Sequence, residues 1–250
     1  MSRAVRFFVL CVTLLASSAV GAAEKSALPR FRPAVLGSGT DTLINRIDRD
    51  ALLKKGQKAA AVMFCAVVAE SGDAVAGWTY RGTPESEALV DEVEKRLVGV
   101  KFTPPIYNHQ RVKVLIYGTV LFTPDEKPHV WIFLNQDPHE LNRRSDLIAP
   151  QPVIGADSNF RGLHPPPDVP IAVTGTAGVK LKVDATGALQ RLDIVNEEPP
   201  LLGFGAAAYE DLESAKFIPA FRDGDPAESD SMMIISYKAD EIGTSVGTNH

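Results

Sequence analysis

Asp137, His139 and Glu140 crowd together in "NQDPHELNRR", and carboxylates beside an imidazole are the raw material of a metal site. The spacing matches no ligand set, however, and the stretch reads more simply as a turn leading into a short helix. The remaining histidines, His109, His129, His164 and His250, sit in Pro-rich or polar stretches, and none pairs with a cysteine at ligand spacing. Cys65 lies inside the apolar run "AVMFCAVVA", where a lone cysteine behaves as a small buried hydrophobe. Ser71 belongs to "SGD", a hairpin turn rather than a nucleophile's setting. No G-x-S-x-G, P-loop or dinucleotide fingerprint occurs. The sequence therefore assigns no catalytic, cofactor-binding or metal residue and points away from an enzyme.

The ends and the charge place the chain. Arg3 and Arg6 form a basic start, 7–16 is a short apolar run, and small residues follow to Ala22 and Ala23. That order is a secretory signal peptide over 1–22, too short in its apolar part for a comfortable span. The expected destination is the periplasm; an uncleaved inner-membrane anchor is the alternative. Loss of Arg3 and Arg6 takes Lys+Arg from 26 to 24 against 31 Asp+Glu. Such an acidic protein has no electrostatic footprint for nucleic acid. With Cys11 in the signal, Cys65 is left without an internal disulfide partner.

The organisation is that of a repeat. Shifted by 115 positions (68 to 183), Val68 falls on Val183, Gly72 on Gly187, Pro84 on Pro199 and Leu97 on Leu212. Lys101, Phe102 and Pro104 fall on Lys216, Phe217 and Pro219, without a gap. Similarity at a fixed offset indicates a duplicated unit. In the second copy, Val179, Leu181 and Val183 alternate with Lys180, Lys182 and Asp184, a half-buried strand. "DATGAL" is a hairpin turn with Gly187 at its positive-φ position, and 204–215 is a helix burying Phe204, Ala208, Leu212 and Ala215. Lys216 suits the helix C-terminus, Phe217 plugs the seam between helix and sheet, and Pro219 forces the chain out toward a last strand, "SMMIISYKA". The first copy follows suit, with a helix opening at Thr83-Pro84 and an apolar stripe of Leu89, Val93, Leu97 and Val100.

The expected fold is α+β: two tandem two-layer β-β-α-β units, each an antiparallel sheet with one helix packed on it. The expected division is signal 1–22, an extension with a short helix ending at Gly56 over 23–58, a first unit at 59–125, a linker with an extra strand at 126–164, a second unit at 165–240 and a disordered tail at 241–250. Gly72, Phe102, Pro104, Gly187, Phe217 and Pro219 are its structural signature.

The second copy resembles the TonB C-terminal domain family. Val183, Asp184, Gly187, Phe217, Pro219, Ala220, Gly224 and Pro226 match its strand ending in Val-Asp-x-x-Gly, its Phe-x-Pro-Ala and its Gly-x-Pro loop, over about 165–240. The first copy is a divergent relative, with Asn108-His109-Gln110 where the Gly-x-Pro loop should stand. The resemblance implies a periplasmic domain that grips an extended peptide at a sheet edge and serves outer-membrane transport. The chain departs from a transducer: its signal is cleavable, and 24–58 holds only Pro29 and Pro33 in place of a Pro-rich spacer.

Two structural expectations follow. Met63, Cys65 and Val67 are apolar on one face of their strand and Phe64, Ala66 and Val68 on the other, so both faces must be covered. "HVWIFLN" (129–135) is the nearest cover, with the other repeat or a second chain as rivals. At the other end, Met232, Met233, Ile234, Ile235, Ser236 and Tyr237 contain neither proline nor charge and form the candidate peptide-binding edge. Removing a donor there, as in Ile235→Pro, is expected to block capture. The functional expectation is a non-enzymatic interaction module with an envelope protein partner, such as an outer-membrane transporter. The alternative is a structural or accessory envelope protein acting through homodimerisation. No cofactor is implied.

N-terminal sequencing of protein recovered from the periplasm is expected to begin at Ala23 or Glu24. An intact Met1 in the membrane fraction would support an anchor instead.

Overall fold

The computed structural model describes residues 27–144, 146–155, 158, 160 and 174–237. The expected signal peptide, the Pro-rich lead into the expected second copy, His164, His250 and the expected tail lie outside them.

In chain order, a short strand β1 (Phe31–Arg32) and helices α1 (Leu43–Arg46) and α2 (Arg49–Lys54) come first. The hairpin β2 (Ala60–Val68) and β3 (Ala74–Gly82) precedes helix α3 (Glu87–Leu97). The small strands β4 (Ile106–Tyr107) and β5 (Gln110–Arg111) then lead into β6 (Lys113–Thr123). The middle of the chain carries β7 (His129–Phe133), α4 (Pro138–Arg143) and β8 (Gln151–Ile154). A second hairpin, β9 (Gly175–Val183) and β10 (Leu189–Glu198), is followed by α5 (Phe204–Glu213). The described chain closes with β11 (Phe217–Ile218), β12 (Ala220–Arg222), β13 (Asp225–Ala227) and β14 (Ser229–Tyr237). The class is α+β with antiparallel pairing throughout.

Each long hairpin turns in the same way. Ala69 N–H donates to Asp73 and Gly72 N–H back to Ala69; Asp184 N–H donates to Ala188 and Gly187 N–H back to Asp184. Both glycines have positive φ, +89° and +82°. Both also lie against a carbonyl from beyond the following helix: a Cβ on Gly72 would overlap the Phe102 oxygen, and one on Gly187 the Phe217 oxygen. A side chain is therefore excluded twice, by backbone conformation and by space.

Helices follow the apolar stripes. Leu89, Val93, Leu97 and Val100 are fully buried under the first sheet, and Phe204, Ala208 and Leu212 under the second. Two helix starts differ from the sequence reading. The helix expected at Thr83-Pro84 begins at Glu87, because Glu85 takes φ +59° and cannot be helical. Buried Gln57 then serves its open end, accepting from Leu89 N–H at 2.9 Å and donating to the Glu85 carbonyl at 2.8 Å. The single helix expected before Gly56 is two, broken at Ile47-Asp48, where Asp48 leaves the helix to cap α2 by accepting from Ala51 N–H. Glu197 caps α5 from a neighbouring strand, accepting from Leu202, Gly203 and Gly205 N–H. Those donors hold its carboxyl below the usual range.

The larger sheet runs β11-β8-β6-β2-β3, with β7 also paired to β6; the smaller runs β10-β9-β14. The middle of the chain thus contributes two strands rather than one. β7 pairs with Thr119–Thr123 of β6 and β8 with its start at Lys113 and Val114. Phe217 and Ile218 then pair with Pro152 and Gln151 of β8, so the segment after α5 joins the sheet of the first half. In the first half the equivalent Phe102 is bridged to Leu36 of the N-terminal segment. Gln151 ties these two arrangements together: its buried amide accepts from Ala34 N–H and donates to Ala34 C=O, each at 2.8 Å.

The second face of the first sheet is covered by the second half, not by 129–135. Cys65, Val67, Leu115 and Tyr117 share one apolar cluster with Ala177, Val179, Phe204, Leu212, Met233 and Ile235. β7 cannot cover that face because it lies in the plane of the sheet, hydrogen-bonded along β6.

Phe217 is fully buried in this shared cluster. Phe217→Ala is expected to lower the unfolding free energy by about 3–5 kcal/mol in urea titration. A loss below about 1 kcal/mol would place the ring at the surface and remove it from the seam.

Candidate functional site

The edge proposed from sequence can be read strand by strand. β14 pairs with β9 over nine residues, Ser229 opposite Val183 through Tyr237 opposite Gly175, without a bulge. No other described strand pairs with β14, so among the described residues it is the edge of its sheet. The alternation of backbone groups then follows from the turn. Asp184 N–H reaches across to Ala188, so the even-numbered residues of β9 bond toward β10 and the odd-numbered ones toward β14. Ser229, Ser231, Met233, Ile235 and Tyr237, opposite those odd residues, spend their backbone groups on β9. Asp230, Met232, Ile234 and Ser236 turn theirs outward.

Burial narrows the edge further. Met233, Ile235 and Tyr237 point into the core shared with the first sheet, and Ile234 and Ser236 are buried on the other face. Met232 is 43% exposed, and Asp230 is exposed. The accessible part is therefore Asp230–Met232 rather than the whole of Met232–Tyr237. Ile235, the natural choice for a proline test on sequence alone, sits inside the ladder.

The free sides of β10 and β3 are blunted by known means. β10 carries two register shifts and the charges of Arg191, Asp193, Glu197 and Glu198. On β3, Glu94 of α3 accepts from Thr79 N–H at 3.2 Å. β14 has neither a bulge nor a charge from Ser231 to Tyr237.

The groups that could have carried chemistry have structural roles. Asp137 caps α4 by accepting from His139 N–H, and Glu140 pairs with Arg222 at 2.7 Å. No three His, Cys, Asp or Glu side chains form a metal-holding group among the described residues. Cys65 is buried, and burial pushes its thiol well above the usual range, which disfavours the reactive thiolate. Burial likewise raises the phenols of Tyr80 and Tyr117 beside it. An open cleft of about 500 Å³ beside α1 and α2 is lined by Asp48 and Asp50 as well as Arg49 and Lys127, so it offers no single charge to a ligand. Among the described residues, no helix is long and apolar enough to cross a membrane. The chain matches no described protein family, no curated protein and no solved structure.

Sequence pattern located the strand but missed Asp230 and the outward parity. The signal was present, because the turn at Gly187 sets the alternation of both neighbouring strands.

Met232→Pro is expected to fold with a thermal midpoint within a few degrees of the parent, since its N–H faces outward. Ile235→Pro removes a ladder donor and is expected to cost about 3 kcal/mol or more. The reverse order in thermal denaturation would refute the assigned parity.

Proposed function

We propose that this chain is an exported envelope protein of two tandem β-β-α-β units, related to the TonB C-terminal domain family, that captures an extended segment of a partner protein by adding it to the β14 edge. The observation that carries the reading is the one-sided, bulge-free pairing of β14, which leaves the outward backbone groups of the exposed Asp230 and Met232 unpaired by any described strand. Support comes also from the signature residues. Gly72 with Phe102, and Gly187 with Phe217, make the same close contact at the same offset in both halves. Gly224 and its neighbour Asp223 take positive φ in a tight hairpin between β12 and β13, where the family places its Gly-x-Pro loop.

Strand addition needs no pocket and no catalytic group, only main-chain hydrogen bonds for affinity and alternate side chains for choice. The first half has a different part to play. Its sheet shares a buried apolar cluster with the inner face of β14 at Met233, Ile235 and Tyr237 and so backs the edge.

A photo-crosslinking residue at Ser231, introduced in cells, is expected to give an adduct with an envelope protein that disappears when Met232→Pro is added. An adduct that survives Met232→Pro in a folded chain removes β14 as the docking edge. Adducts only between copies of this chain would favour homodimerisation through the same strand.

A further inference from the structure

Charge is distributed unevenly along the chain, and the β14 edge lies in the acidic part. Within 174–237, five Lys and Arg stand against eleven Asp and Glu. On the sheet face that carries the even-numbered residues, Glu228 and Asp230 flank the start of the edge, with Lys182 directly opposite Asp230. Lys182 is engaged by Glu228 at 2.7 Å, so two carboxylates share one ammonium. Lys180, the next cation on that face, stands opposite Met232, one strand further in. The outermost column is therefore acidic, and the column behind it is basic. Two residues along the same face, Met232 presents an exposed apolar side chain.

We infer that the segment captured by β14 is a basic one, carrying Lys or Arg beside Asp230 and an apolar residue two positions away beside Met232. The inference rests on the strand-addition reading. Neighbouring side chains on one face of a sheet lie about 4.5–5.5 Å apart at the Cβ atoms, close enough for an ion pair at Asp230 and apolar contact at Met232. Side chains two apart on a strand share a face, so the pattern is basic-x-apolar if the segment runs parallel to β14 and apolar-x-basic if it runs antiparallel. An acidic residue in the same place would meet Asp230 and Glu228 and be repelled.

Random decapeptides displayed on phage and selected on the mature chain test this directly. Expected is enrichment of Lys or Arg two positions from an apolar residue, with binding of the selected peptide abolished by Met232→Pro. On an Asp230→Lys chain the enriched charge should invert to Asp or Glu. The basic peptide should bind that chain roughly tenfold more weakly by calorimetry, a lost pair and a new repulsion combined. Asp230→Asn, which keeps the shape, should lose the preference without inverting it. Enrichment with no charge preference, or a preference unchanged in both variants, overturns the inference and leaves strand addition standing. Absence of any enriched peptide on the parent chain overturns strand addition and the inference with it.

Discussion

Strands β2 and β6 are apolar on both faces, and a sheet so built cannot leave either face in water. Phe64, Ala66 and Val68 turn to α3, while Cys65, Val67, Leu115 and Tyr117 turn the other way. Each large side chain among them contributes about 1.5–3 kcal/mol if buried and almost nothing if left exposed. The first half therefore demands a second layer, and the second half supplies it with α5, β9 and β14. The two halves share one core as a consequence, and the long middle segment is free to extend the sheet sideways as β7 and β8.

That shared core also explains the unequal design of the two sheets. The smaller sheet has three strands and spends one face on the seam; its other face carries Lys180 and Lys182 along with the buried Ile234 and Ser236. The larger sheet is closed at one side by β8 and β11, and Gln151 fastens that side to the N-terminal segment through Ala34. A buried amide whose oxygen and nitrogen bond both backbone groups of one residue is hydrogen-bonded at each end, which is what makes its burial tolerable. Among the described strands, β14 keeps one side unpaired.

The two turn glycines show how a short motif can act over a long stretch of sequence. Gly187 bends the hairpin, admits the Phe217 carbonyl against its bare Cα and sets which residues of β9 face β14. Position 187 thereby places the plug of the core and the parity of the proposed docking edge together. Phe102 and Gly72 repeat the arrangement on the other sheet, where the bridged neighbour is the N-terminal segment instead of β8.

Local physics made much of this legible in the sequence. Period-two alternation marked β9, three- and four-residue spacing marked α3 and α5, and a glycine needed at positive φ marked both turns. A last strand through Tyr237 was readable for the same reason. Phe217 was readable as a buried ring, but the first-half residues Cys65, Leu115 and Tyr117 that share its cluster were not. Partner choice was not readable. The pattern at Cys65 and Val67 says that a face must be covered and is silent on whether 129–135 or a half more than a hundred residues distant covers it, since apolar contact is non-directional. The break at Ile47-Asp48 and the late start of α3 involve partners distant in sequence: Asp48 N–H donates to Glu92 of α3, and Gln57 serves the open end of α3 at Leu89 and Glu85. Only tertiary packing decided that Met233–Tyr237 would be buried and Asp230–Met232 exposed, because burial along one strand is set by what the rest of the chain lays against it.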